Sequence, residues 1–200
     1  MTTSQPRLGV LGGSFDPPHT AHLAIASEAC HALDLARVLF VPAAAPPHKG
    51  GGDRTPADVR LQMTSLAVDD DLRFTVSGIE IERGLVYTAD TLRALTERYP
   101  DHGLVFILGS DSLLQLDTWH NPDELLSLCA LGVAPRPGDP PEAVAAAAAR
   151  WGASRITVLD TPLMEISSSS IRERVAARRP VRYLVPPRVE QFIVEKGLYR

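Results

Sequence analysis

Two hundred residues with 44% apolar side chains suffice for one domain with a sizeable core, and no long charge run points to disorder. A net charge of −4 excludes a general nucleic-acid binder, so positive groups for an anionic ligand must be concentrated locally. No apolar run approaches the ~18 residues of a membrane span, and MTTSQPRLGV lacks the basic and apolar regions of a secretion signal. The expectation is a cytoplasmic protein with neither membrane nor nucleic-acid partners. Cys30 and Cys129 have neither CxxC nor His spacing and read as small core residues.

In chain order, LGVL (8–11), VLFV (38–41), FTVSGIEI (74–81), LVFIL (104–108), LCALGVA (128–134) and ITVL (156–159) predict strands. Several lack polar alternation, as strands covered on both faces do. Helical patterns lie at about 19–33, 56–69, 88–99, 110–116, 122–127, 141–151, 169–179 and 187–196. Thr55-Pro56 reads as the N-cap and first turn of the second helix. The alternation predicts an open α/β fold. No repeat or boundary interrupts it, so a single domain over 1–200 is expected, its C-terminal helices (about 169–200) packing as a small subregion. The stretch 41–56, rich in Pro, Gly and Ala, follows the second strand at the sheet end where ligands gather. It is either a substrate lid or a long connection.

Two segments carry chemistry. GGSFDPPHTAHL (12–23) leads a strand into a helix. Its glycines let the backbone turn and approach a ligand, and amides at a helix start attract phosphate. His19 and His22, three apart, share one helix face near its start, where two imidazoles can donate to a polyphosphate. A tight turn with surface histidines is the bland alternative, and neither a GxGxxG fingerprint nor a Walker A lysine is present. MEISSSSIRERV (164–175) passes into a helix that its serines can cap. Capping accounts for one or two serines, not for four followed by Arg172. Hydroxyls, free amides and a guanidinium clustered at a helix start make a second anion site.

Together, GGSFDPPHTAH and ISSSSIR resemble the His-x-Gly-His and ISSTxxR signatures of the nucleotidylyltransferase superfamily. PPHK (46–49), YTADTL (87–92), FILGSDSLLQLDTWHNPDELL (106–126), APRPG (134–138) and VEQFIVEKGLYR (189–200) narrow the resemblance to bacterial nicotinate mononucleotide adenylyltransferases, over nearly the whole chain. It implies a Rossmann-like, doubly wound and mainly parallel sheet of the nucleotidylyltransferase type, with helices on both faces. It further implies transfer of the adenylyl group of ATP to nicotinate mononucleotide, giving nicotinic acid adenine dinucleotide (deamido-NAD) and pyrophosphate, with Mg²⁺, in NAD biosynthesis. A sibling enzyme for nicotinamide mononucleotide or phosphopantetheine and a non-catalytic nucleotide-binding domain are the alternatives. A homo-oligomer is compatible with the apolar helices.

By that resemblance His19, His22 and Arg172 are the catalytic residues, set on the ATP phosphates. Gly12, Gly13, Ser14 and Phe15 supply the backbone cradle, Ser167 and Ser169 stand at hydroxyl positions, and Ser168 contributes its amide. Tyr87, Thr88 and Trp119 receive the mononucleotide: the indole stacks on the pyridine ring, while Thr88 and nearby amides take the carboxylate. Trp119 is otherwise a partly buried core aromatic. Asp111 either binds a ribose or caps a helix. His48 and Lys49 either reach the mononucleotide phosphate or are solvated loop charges. Asp16, grouped with the substrate-binding residues, either orients the turn or reaches the metal through water. No side chain is assigned as a direct metal ligand. His31, His102 and His120 have no comparable context and are expected at the surface. Ala21 stands where the signature has Gly, and Ser169 where Thr is usual.

Overall fold

The computed structural model describes residues 5–44 and 55–200. Six parallel strands form one sheet: β1 (Arg7–Gly13), β2 (Leu35–Pro42), β3 (Phe74–Val76), β4 (Gly103–Gly109), β5 (Cys129–Ala134) and β6 (Ile156–Val158), in the order β3-β2-β1-β4-β5-β6. The connecting and following helices are α1 (Thr20–Ala32), α2 (Ala57–Val68), α3 (Ile79–Arg83), α4 (Thr88–Arg98), α5 (Ser110–Leu114), α6 (Pro122–Leu128), α7 (Pro141–Gly152), α8 (Ser168–Ala176) and α9 (Pro187–Lys196). The strand order reverses between β1 and β4, so the crevice of this doubly wound sheet opens at their carboxyl ends. Among the described residues no helix is long and apolar enough to cross a membrane.

Both faces of the sheet are covered, which explains the strands without polar alternation. Leu8 and Val10 face one apolar layer with Leu39, Phe106, Leu92 and Leu95. Leu11 faces the other with Val38, Phe40, Val105 and Met63, and α9 closes that layer with Phe192 and Ile193. Each such buried side chain contributes roughly 1.5–3 kcal/mol of transfer free energy.

Three local expectations are corrected. The strand predicted over 74–81 ends at Val76, and Ile79–Arg83 is helical. Ile79 is buried, and Gly84 ends the helix in the left-handed region (φ 63°), where its missing Cβ avoids strain. The apparent alternation in SGIEI was one helical turn bounded by glycines. The second helix starts at Ala57 with Pro56 at its cap, so Thr55 is not the cap. The helix predicted over 169–179 ends at Ala176, because Arg178 turns left-handed (φ 54°) and Arg179 donates its N–H back to the Arg174 carbonyl at 2.7 Å.

Candidate active site

At the end of β1 the chain turns sharply. Phe15 is left-handed (φ 47°), a conformation costing about 1–2 kcal/mol outside glycine. Its buried ring holds it there, lying edge-on to His22 (centroids 4.9 Å apart) and against Phe40 (5.7 Å). The same ring closes the space behind Gly13, where a Cβ would come within 3.2 Å of it. Asp16 is buried, and its carboxylate accepts the Tyr199 hydroxyl at 2.6 Å.

The histidines meet at the start of α1. His19 is the N-cap, and its backbone N–H donates to Nδ1 of His22 at 3.1 Å. That bond makes Nδ1 the acceptor and leaves the neutral ring's proton on Nε2. The two rings stack at 3.6 Å with 23° between their planes. Burial, helped by the charge of Arg136, lowers the His19 pKa to about 4. Burial, then His19, then Arg136 hold His22 well below the usual histidine range. Both imidazoles are therefore neutral donors near pH 7. An anion entering beside them would restore their basicity.

The serine segment is bonded directly to this turn. Ser167 caps α8, its Oγ accepting the Ser170 N–H at 3.1 Å while its own N–H donates to the Ser170 Oγ at 3.3 Å. The Ser168 hydroxyl donates to the Pro17 carbonyl at 2.8 Å. Arg172 donates to the Asp16 carbonyl at 2.7 Å and to the Ser169 Oγ at 3.2 Å. A third wall comes from the end of β5. The buried Ser110 hydroxyl donates to Asp139 at 2.5 Å and accepts the Arg136 N–H at 2.8 Å. The Arg136 side chain pairs with Asp111 at 2.8 Å in the space that Gly109 leaves open, since a Cβ there would come 2.3 Å from the Asp111 carboxylate.

These walls enclose two adjoining cavities. The smaller, about 320 Å³, is lined by His19, His22, Arg136, Arg172 and Ser167 to Ser169 among others. The larger, about 910 Å³, is lined by Tyr87, Thr88, Asp111, Trp119, His120 and Glu80 among others. Gly12, Gly13, Phe106, Ser112 and Trp119 line both. In the larger cavity Tyr87 stacks on His120 (4.1 Å, 25°), and Trp119 stands edge-on to Phe106 (6.2 Å, 69°). Burial pushes the Glu80 carboxyl above the usual carboxylate range, opposed by bonds from Thr91 and Ala44 and by the charge of Arg60.

A cytidylyltransferase-like family model matches residues 10–174. A protein of Exiguobacterium sibiricum named "Probable nicotinate-nucleotide adenylyltransferase" is 45% identical over 197 residues, covering 96% of this chain and 98% of that one. A protein of Thermomicrobium roseum with the same name is 45% identical, covering 97% and 92%. The chain belongs to the nicotinate-nucleotide adenylyltransferase family. In fold it is similar to Plasmodium falciparum nicotinic acid mononucleotide adenylyltransferase complexed with NaAD, with a TM-score of 0.81 at 19% identity and 97% coverage of each chain.

Within that family fold, the smaller cavity gathers Gly12, Gly13, Ser14, His19, His22, Ser167, Ser168, Ser169 and Arg172, which the sequence grouped on ATP. Tyr87, Thr88, Asp111 and Trp119 meet in the larger one. Phe15 and Asp16 line neither cavity. Phe15 is a buried buttress, and the buried Asp16 carboxylate is bonded to Tyr199. His48 and Lys49 lie outside the described residues. The sequence motifs do not single out Arg136 within APRPG, and His120, expected at the surface, is exposed but stacked into the cavity. Its neighbour Trp119 was the available signal.

Proposed function

We propose that the chain transfers the adenylyl group of ATP to nicotinate mononucleotide, forming nicotinic acid adenine dinucleotide and pyrophosphate, with the triphosphate in the smaller cavity and the mononucleotide in the larger. The observation that carries this reading is the wall common to both cavities, where Gly12 and Gly13 present bare backbone beside Phe106, Ser112 and Trp119 and two ligands can come together. A phosphate oxygen of the mononucleotide attacks the α-phosphorus, and the bond from that phosphorus to the β-phosphate oxygen breaks. A phosphate monoester is a nucleophile near neutral pH, so the protein's work is alignment and charge neutralisation.

His19 and His22 donate from neutral rings to the phosphates and gain basicity as charge builds on the departing pyrophosphate. Arg172 and Arg136 supply fixed positive charge at the same cavity. Trp119, Tyr87 and His120 offer aromatic faces to the pyridine ring, and amides at the start of α4 receive its carboxylate. The imidazole and guanidinium donors suit phosphate oxygens rather than a hard cation. Mg²⁺ would therefore enter with ATP, where it would supply further charge neutralisation. ATP as substrate goes with a cytoplasmic location, and the chain is read as one functional domain that includes α8 and α9.

The test is pyrophosphate release with ATP and Mg²⁺ plus nicotinate mononucleotide, nicotinamide mononucleotide or phosphopantetheine. Preference for the nicotinate form is expected. Preference for another acceptor overturns the substrate assignment, and ATP binding without pyrophosphate from any of them overturns the transfer.

A further inference from the structure

We infer that Arg60 and Glu80 are positioning residues for the transfer, holding the wall between the two cavities in register from outside the phosphate site. This rests on the assignment of the cavities above. Arg60 projects from α2 and is 4% exposed. Its Nη1 donates to the Ser14 carbonyl at 2.8 Å, and its Nη2 to the carbonyls of Ala43 at 2.6 Å and Ala44 at 3.3 Å. Its Nε donates to the Thr55 carbonyl at 3.1 Å. Glu80, from α3, grips the same stretch with the opposite polarity. One carboxylate oxygen accepts the Ala44 N–H at 3.3 Å and the other accepts the Thr91 hydroxyl at 2.9 Å. The Ala43 N–H in turn donates to the Gly13 carbonyl at 2.9 Å.

The geometry has a single consequence. Gly13 lines both cavities, and the residue that follows it, Ser14, and its hydrogen-bond partner, Ala43, are tied to one guanidinium. A buried guanidinium persists only where its donors are met and its charge is balanced. Here carbonyls of three separate segments meet the donors, and Glu80 lies close enough for its carboxyl to feel the positive charge. A bidentate fork fixes its acceptors in direction as well as distance, which an ammonium cannot do. Arg60 lines neither cavity, so its effect on the reaction is indirect; Glu80 lines the larger one, so its variant is judged together with the mononucleotide affinity. A misplacement of about 1 Å between reacting groups costs on the order of 10²-fold in rate.

The experiment is steady-state kinetics on the full chain with Arg60→Lys and with Glu80→Gln, beside calorimetric affinities for a non-hydrolysable ATP analogue and for nicotinate mononucleotide. Arg60→Lys keeps a positive charge near Glu80 but loses the fork. Glu80→Gln keeps the shape and loses the charge, so either variant serves if the other fails to fold by near-UV circular dichroism. Expected is a fall in kcat of about 10- to 100-fold for Arg60→Lys and about 10-fold for Glu80→Gln, with both affinities within about threefold of the parent. A folded variant with parental kcat overturns the inference, as does a loss of rate explained by loss of affinity for the ATP analogue or for the mononucleotide. Failure of the underlying functional reading shows separately, as parent protein that releases no pyrophosphate with the mononucleotide.

Discussion

His19 makes the native protein sensitive to acid in a calculable way. Its pKa falls from about 6.5 in the unfolded chain to about 4 in the folded one. Between those values the unfolded chain binds the proton and the native ring does not, so stability declines as pH falls through 6.5 and levels off below 4. For those two values the linkage relation gives a loss of about 2 kcal/mol between pH 7 and pH 5. His22 is shifted in the same direction and adds to the decline. Glu80 opposes it, because a carboxyl raised by burial makes the native state the better proton binder. His19→Asn isolates the effect, since Asn is favoured at an N-cap and does not titrate. Urea unfolding of parent and variant at pH 7, 6 and 5 measures it. With an m-value of about 2 kcal/mol per molar, the parent midpoint should drop about 1 M further than that of the variant. Equal drops in the two proteins would refute a neutral, desolvated His19, and with it the picture of uncharged donors awaiting a triphosphate.

The exposed ring of His120, stacked on Tyr87, bears on the mononucleotide rather than on ATP. Removing one member of an aromatic stack costs about 0.5–1.5 kcal/mol, so His120→Ala should raise the mononucleotide KM about 2- to 10-fold and leave the KM for ATP unchanged; an altered ATP KM alone would count against the cavity assignment. Ala21 is the second residue of α1, faces the smaller cavity and is buried. Ala21→Gly, which restores the signature, should lower stability by about 0.5–1 kcal/mol and the melting temperature by about 1–4 °C, with turnover within about threefold of the parent. A large gain in turnover would mean that the methyl group obstructs the nucleotide.

Much of this arrangement was legible because it depends on patterns local in the chain. Unbroken apolar runs give strands buried on both sides, and GGSFDPPHTAH and ISSSSIR each compress a helix start and its polar groups into a short window. What stayed hidden depends on side chains that act across the fold. For Asp16 the sequence leaves open a turn role and a water-mediated reach to the metal; only the packing of Tyr199, 183 positions later, shows where its carboxylate points. Arg136 sits in a proline-rich turn whose position is set by Ser110, 26 residues earlier. Arg60 shows the limit most clearly. Nothing in ADVRLQMTSLAV singles it out, yet it is among the most buried charged groups described. Its partners are carbonyl oxygens, which every residue carries, so no residue type in the sequence marks them as the chosen acceptors. Most groups expected to touch substrate are thus written in the motifs, while Arg136, His120 and the residues that hold the motifs together become visible only once the backbone is folded.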